Sequence, residues 1–188
     1  TEKDEDSVSV QGTKFRQRED ALLPDAVRRM LGLKAARGKE LKDAKDSGIG
    51  ADVAQRRYDG INGIVNSTFG VFGNKYFRLF DKRITSSITF LLRDVLHYCK
   101  DRIEEQGHKV IYWDTDSVFV DTAEVMTDQL NQWVQDWAKQ YGKESIDLTF
   151  EHEGTFKDIF VLGKCHYYGT VIKPSGKEEM EIKGVAMK

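Results

Sequence analysis

The chain has 188 residues, 39% of them hydrophobic and 11% aromatic, enough for one domain with a real core or two small subdomains sharing one, which excludes a disordered polymer. No apolar run approaches 18 residues, which argues against a membrane-spanning helix, and Cys99 and Cys165 are far apart in sequence with neither in a Cys-x-x-Cys pair, which argues against a disulfide framework or zinc site. The net charge of −2 lowers the odds of a nucleic-acid partner unless the cations are clustered.

Residues 1–22 open acidic (Glu2, Asp4, Glu5, Asp6) with sparse apolar residues, and read as a loose lead-in. Leu23-Pro24-Asp25 is a helix start, with Pro24 in the first turn and Asp25 near the positive end of the dipole. That helix runs to about Lys45, Asp46 to Gly50 breaks it, and a second runs from Ala51 to about Phe69, giving an antiparallel helical hairpin. The cations gather here. Between Arg28 and Arg57 nine cations face four acids, so a basic arm with a surplus of five is mounted on an acidic body. Such an arm reads equally as a solvated hairpin, a nucleic-acid contact or a polyphosphate contact.

After a link at 70–74, Ile84, Ile88, Leu91, Leu92, Val95, Cys99 and Ile103 recur at three- and four-residue steps, a core-facing helix ended by Gly107. Val110 to Trp113 and Ser117 to Val120 flank a polar turn in the pattern of a β-hairpin. Trp133 and Trp137 lie four apart in an amphipathic helix from about Glu124 to Tyr141. Strands are expected near Leu148–Glu153, Ile159–Leu162, His166–Ile172 and Glu179–Val185. The element order is that of an α+β fold. The four histidines lack metal-ligand spacing and read as surface or core residues. The chain starts at Thr1 rather than Met and stops just after a strand-like stretch, so it reads as a piece of a longer protein. The cysteine usage fits an intracellular setting, cytoplasm or nucleoid if prokaryotic.

Tyr112-Trp113-Asp114-Thr115-Asp116-Ser117 is the most informative stretch. Two carboxylates one residue apart at a tight turn present oxygen ligands from a rigid support, which suits a hard cation such as magnesium. A bare Asp-x-Asp is more often an acidic turn. The β-rich runs on either side favour the metal reading, because they hold both carboxylates at one sheet edge, where their repulsion is relieved by a cation.

In this context the stretch resembles the Tyr-x-Asp-Thr-Asp-Ser motif of family B DNA polymerases, of archaeal, viral or phage type. Asn66-Ser67-Thr68-Phe69-Gly70, 48 residues before Asp114, resembles the Lys-x-x-x-Asn-Ser-x-Tyr-Gly motif of that family. Lys164-Cys165-His166-Tyr167 resembles its Lys-Lys-Arg-Tyr segment, and Lys183-Gly184-Val185 the element just downstream. The resemblance implies helical-hairpin fingers at 23–70, joined to a palm portion at 71–188 with an antiparallel sheet backed by helices. It implies template-dependent nucleotidyl transfer to a primer 3′-hydroxyl by a two-metal mechanism. Asp116 and Asp114 are then the catalytic and magnesium-binding acids, completed by an Asp outside this chain. Asn66, Asn62, Phe69, Lys34 and Arg37 would face the incoming deoxynucleoside triphosphate. Tyr112, Lys164, Tyr167 and Lys183 would face primer–template DNA. The implied partners also include the exonuclease, remaining palm and thumb domains, with no membrane.

The sequence departs from the pattern at Asn62, where the family has Lys. Residues 55, 59, 62 and 66 share one helix face that reads Gln, Asp, Asn, Asn, with no cation. Cys165 and His166 likewise replace two cations. These departures motivate a second expectation, a polymerase-like subunit that has lost activity and acts as a DNA-binding or assembly module. A non-polymerase module whose acidic turn binds calcium or nothing is a third.

Overall fold

Residues 7–16 alternate small polar and apolar side chains around Gln11-Gly12. In the computed structural model, which describes residues 7–18, 21–114 and 116–184 (Asp114 through its backbone alone), this stretch is a β-hairpin and not the loose lead-in expected of it. Strand β1 (Ser7–Val10) pairs antiparallel with β2 (Thr13–Arg16), Val10 opposite Thr13. Gln11 (φ 50°) and Gly12 (φ 76°) form the two-residue connection, both in the left-handed region that a tight hairpin following the strand twist requires. Residues 1–6 and 19–20 of the lead-in lie outside the described residues, and Leu22 already belongs to the first helix. The chain divides into two compact units, Thr1–Thr89 and Phe90–Lys188.

In the first unit, α1 (Leu22–Ser47) and α2 (Ala51–Phe72) form the expected helical hairpin, each somewhat longer than expected. The turn needs glycine at both hinges: Gly48 ends α1 at φ 71° and Gly50 precedes α2 at φ 70°. One close approach and two contacts mark the hairpin's register. A Cβ on Gly38 would stand 3.5 Å from the Tyr58 ring, Glu40 pairs with Arg57 at 2.7 Å, and the Thr68 hydroxyl approaches Met30 Sδ at 4.0 Å.

Helix α3 (Lys82–Glu105) carries the predicted stripe, and Val95, Cys99 and Ile103 are buried. They pack with Met126 and with Leu130, Val134, Trp137 and Ala138 of α4 (Thr127–Lys139) to form the core of the second unit. Helix α4 is a little shorter at both ends than the expected 124–141. Its Trp137 Nε1 donates to Asp94 Oδ2 at 2.8 Å and the Tyr141 hydroxyl to the same oxygen at 2.9 Å, tying α4 to α3 through one carboxylate.

The strand expected at Leu148–Glu153 is absent; the segment has no strand partner. Its alternation is real, since Ile146, Leu148 and Phe150 pack on the core. The backbone, however, is satisfied by side-chain amides of α4. Phe150 N–H donates to Asn131 Oδ1 (2.6 Å) while Asn131 Nδ2 donates to the Phe150 carbonyl (3.1 Å). Gln135 does the same for Ile146, at 3.0 and 3.1 Å. Asn131 and Gln135, one helical turn apart, imitate a neighbouring strand.

Strands β3 (Val110–Asp114) and β4 (Ser117–Val120) form the expected hairpin, with Asp114 opposite Ser117. A separate antiparallel sheet, in the order β5-β6-β7, contains β5 (Thr155–Gly163), β6 (His166–Ile172) and β7 (Glu178–Lys183). Val185, expected at the end of the last strand, lies outside the described residues. The architecture is α+β, as the element order implies.

Candidate functional site

The β3–β4 hairpin has two packed faces, and this positions the acidic turn. Val118 and Val120 of one face pack on the α3/α4 core, and Trp113, paired with Val118, meets His97 of α3 edge-on at 4.9 Å. On the other face Tyr112 and Phe119 are cross-strand partners with stacked rings 5.5 Å apart. Both meet Tyr167 of β6 edge-on, Phe119 at 5.3 Å and Tyr112 at 5.9 Å, and Phe156 of β5 closes the cluster. Side chains pack on both faces of the hairpin, although Ile111 in β3 stays 48% exposed. Asp116 stands exposed at the hairpin's tip. The side chain of Asp114 and the whole of Thr115 lie outside the described residues. A cleft of about 870 Å³ is bordered by Asp116, Phe119, Tyr167, Glu181 and Lys183, among others. Among the described residues, no three His, Cys, Asp or Glu side chains are grouped closely enough to hold a metal ion.

The four residues expected to face DNA are gathered around this hairpin. The Cys165 N–H, in the β5–β6 turn, donates to the Tyr112 hydroxyl at 2.8 Å, so the turn carrying exposed Lys164 is fastened to the strand that leads into Asp114. Cys165 takes φ 59°, the left-handed conformation the two-residue turn demands. Lys183 Nζ lies 5.8 Å from the centre of the Tyr167 ring. Tyr167 itself is only 5% exposed. Its hydroxyl donates to Glu181 Oε1 at 2.8 Å, and Lys173 Nζ holds Glu181 Oε2 at 2.9 Å. Burial alone would raise the Glu181 carboxyl, but the hydrogen bonds from Lys173 and Tyr167 outweigh it and hold the group below its usual value. Burial, followed by the Glu181 contact, pushes the Tyr167 phenol well above the ordinary tyrosine value. Gly184, at φ 68°, passes so close to the Cys165 carbonyl that a Cβ could not be accommodated without displacement. Sequence reasoning missed Glu181. Alternation along β7 puts it on the face of Lys183, but only the β6–β7 register, with Tyr167 opposite Lys183 and Gly169 opposite Glu181, brings it to Tyr167.

On the helical hairpin, Asn66 and Phe69 are exposed (Phe69 46%) and Asn62 is half-buried. The helix face read from sequence is real: Gln55 Nε2 donates to Asp59 Oδ1 at 2.8 Å. Lys34 and Arg37 differ in surroundings. Arg37 pairs with Glu40 at 2.5 Å, and Glu40 also binds Arg57, so the two guanidiniums hold the Glu40 carboxyl below its usual value. At about 100° per residue, Arg57 falls roughly 140–200° around α2 from the Gln55, Asp59, Asn62 and Asn66 stripe. The ion-pair cluster therefore lies on the opposite flank of the hairpin from Asn66. Lys34 sits midway between the Met30–Thr68 and Gly38–Tyr58 contacts, level with residues 62–66. Glu40 was not singled out from sequence, since its partner is 17 residues away and depends on the hairpin register.

Comparison with known proteins shows the family. The family model described as DNA polymerase family B matches residues 1–188. The DNA polymerase alpha catalytic subunit of Oxytricha trifallax is 31% identical over 180 residues, covering 89% of this chain and 11% of that protein. DNA polymerase II of Escherichia coli K12 is 31% identical over 143 residues, covering 65% of this chain and 18% of that protein. The chain thus spans less than a fifth of either relative. In fold it is similar to the family B DNA polymerase from the hyperthermophilic archaeon Pyrobaculum calidifontis, with a TM-score of 0.59 over 95% of this chain and 22% of the other, at 22% identity. No helix among the described residues is long and apolar enough to cross a membrane. With a family match along its whole length, the chain belongs to DNA polymerase family B.

Proposed function

We propose that residues 23–70 are the fingers and residues 71–188 part of the palm of a DNA-directed DNA polymerase, which adds nucleotides to a primer 3′-hydroxyl under the direction of a template. The observation that carries this reading is Asp116, exposed at the tip of a hairpin whose two faces are both packed. Its carboxylate offers the hard oxygen donors that magnesium prefers, from a support that loses little entropy on binding. Asp116 would hold magnesium together with Asp114 and an Asp from outside this chain. Bound there, the cations would neutralise charge on the attacking and leaving oxygens. Asn62 and Asn66 donate hydrogen bonds to the triphosphate, Lys34 brings charge toward it, Arg37, engaged by Glu40 on the other flank of the hairpin, adds less, and Phe69 packs under the nascent base pair. Tyr112 lies near the primer terminus. Lys164 and Lys183 grip the duplex backbone, and Tyr167, being buried, acts through the strand it anchors. The remaining palm, exonuclease and thumb portions complete the enzyme, so the 188-residue chain alone does not extend a primer.

The test is Asp116→Asn in the parent polypeptide. Primer extension should fall by about three orders of magnitude or more, while primer–template affinity stays within a few-fold. Extension at the wild-type rate would sink the proposal.

A second reading, an inactive polymerase-like subunit serving as a DNA-binding or assembly module, is favoured by the cation-free stripe Gln55, Asp59, Asn62, Asn66. A charged hydrogen bond is worth roughly 1.5–3 kcal/mol, so Asn62→Lys should lower the nucleotide KM on the order of tenfold or more if the missing cation limits binding. An unchanged KM with ordinary turnover means that Lys34 or Arg37 already supplies the charge, and removes the second reading.

A further inference from the structure

Tyr167 is a buried phenol at the junction of three elements. Its ring packs against Tyr112 and Phe119 of the carboxylate hairpin and against Phe156 of β5, and Lys183 Nζ hovers over its face. Its hydroxyl has one described partner, Glu181 Oε1. Glu181 stands opposite Gly169, which lacks a side chain, so the Tyr167 hydroxyl, reaching from one side, and Lys173, reaching from the other, meet on its two oxygens. A carboxylate is the wrong charge for a surface meant to hold nucleic acid, and strand β7 could place a neutral side chain there without loss of pairing. Its position is explained by what it fixes. A phenol held at both ring and hydroxyl cannot rock, and Tyr112, Lys183 and the turn at Lys164–Cys165 all lean on that ring or on its neighbour.

We propose that Glu181 is a positioning residue for primer–template binding: by fixing the Tyr167 hydroxyl it sets the placement of Lys183 and of the Lys164 turn relative to the Asp116 hairpin. This rests on the polymerase reading, and extends it to a residue that touches neither nucleotide nor DNA. Simple electrostatics and positioning make opposite forecasts. Removing a negative charge beside a DNA-binding face should tighten binding. Releasing Tyr167 should loosen it.

The experiment measures primer–template affinity and its salt dependence for the parent polypeptide carrying Glu181→Ala, Glu181→Gln, Tyr167→Phe and the double variant Glu181→Ala/Tyr167→Phe, with steady-state kinetics on each. Glu181→Ala is expected to weaken binding about three- to tenfold and to raise the KM for primer–template, with kcat changed less than about twofold. Glu181→Gln keeps an acceptor for the phenol and should restore affinity to within about twofold of the wild type. Tyr167→Phe, which keeps the ring packing, should weaken binding as much as Glu181→Ala, and the double variant no more than either single change. Tighter or unchanged binding in Glu181→Ala, or additive losses in the double variant, overturns the proposal. Asp116→Asn, run in parallel, keeps the two claims separate: unaffected synthesis there removes the polymerase reading whatever the Glu181 series shows.

Discussion

The stretch from Ile146 to Phe150 is held by two side-chain amides, and removing one is a direct measure of that arrangement. Asn131→Leu replaces the amide with a side chain of nearly the same shape, so no cavity forms, but Phe150 loses both the acceptor for its N–H at 2.6 Å and the donor to its carbonyl at 3.1 Å. Each neutral hydrogen bond contributes about 0.5–1.5 kcal/mol net, and a part-buried group left without a partner costs roughly 1–3 kcal/mol. Some of that cost is recovered as water reaches the half-buried Phe150, so the expected loss is about 2–3 kcal/mol. All three tryptophans, Trp113, Trp133 and Trp137, belong to residues 90–188, so tryptophan fluorescence during urea titration of the chain follows this unit. With a urea slope of about 1–3 kcal/mol per molar, the midpoint should fall by ~0.7–3 M with the slope unchanged. Gln132→Leu is the control: its exposed bond to Asp136 (3.4 Å) spans one helical turn and should cost less than about 0.5 kcal/mol. Equal midpoints for Asn131→Leu and the wild type would refute the idea that side-chain amides stand in for a strand.

Two further outcomes follow from the charges. Under the polymerase reading Lys34→Ala should raise the nucleotide KM about tenfold while Arg37→Ala, whose guanidinium is already engaged by Glu40, should raise it less than about threefold; nucleotide titrations in primer-extension assays of both variants decide this, and equal effects would contradict it. Tyr141 is pushed up to about 12, by burial first and then by its hydrogen bond to Asp94 and that group's charge. Because the folded value exceeds the unfolded value near 10, the stabilisation is complete below about pH 10 and is lost as pH rises through 12. The urea midpoint should therefore decline between pH 10 and 12, and Tyr141→Phe should make that decline shallower; an identical pH profile in the variant would contradict the assignment.

Much of the fold is legible because its signals are local. The glycines at 48 and 50 mark the helical hinge, the three- and four-residue stripe of α3 finds the core, and apolar runs around a polar turn announce the β3–β4 hairpin. Two local patterns misled for different reasons. Gln11-Gly12 lacks the Asn or Asp that usually advertises a two-residue hairpin turn, so β1 and β2 passed unnoticed although Val8, Val10 and Phe15 alternate correctly. Ile146, Leu148 and Phe150 alternate as a strand does, yet periodicity reports which side chains are buried and says nothing about what satisfies the backbone. The site divides along the same line. Asp116, Asn66 and Tyr112 are visible as a motif, whereas the Arg37–Glu40–Arg57 cluster and the Tyr167–Glu181 bond depend on pairing registers that no short window contains.

The cation surplus of residues 28–57 has a different meaning once its partners are known. Arg29 is matched by Asp25 at 2.9 Å, and Arg37 and Arg57 share Glu40. Three of the arginines, which suit bidentate recognition of phosphate, are thus already engaged by carboxylates, Arg57 across the hairpin and Arg29 and Arg37 within α1, and the cation level with Asn62 and Asn66 is a lysine. Under the polymerase reading this shifts the triphosphate site from charge toward neutral amide donors. Coulomb attraction at an exposed site is screened as salt rises, with a Debye length of about 10 Å at 0.1 M, while a hydrogen bond from a neutral amide is not. Asn62 in place of a lysine should therefore weaken nucleotide binding at low salt yet make it less sensitive to ionic strength. The same substitution leaves Lys34 as the group on which the charge at that level of the hairpin depends.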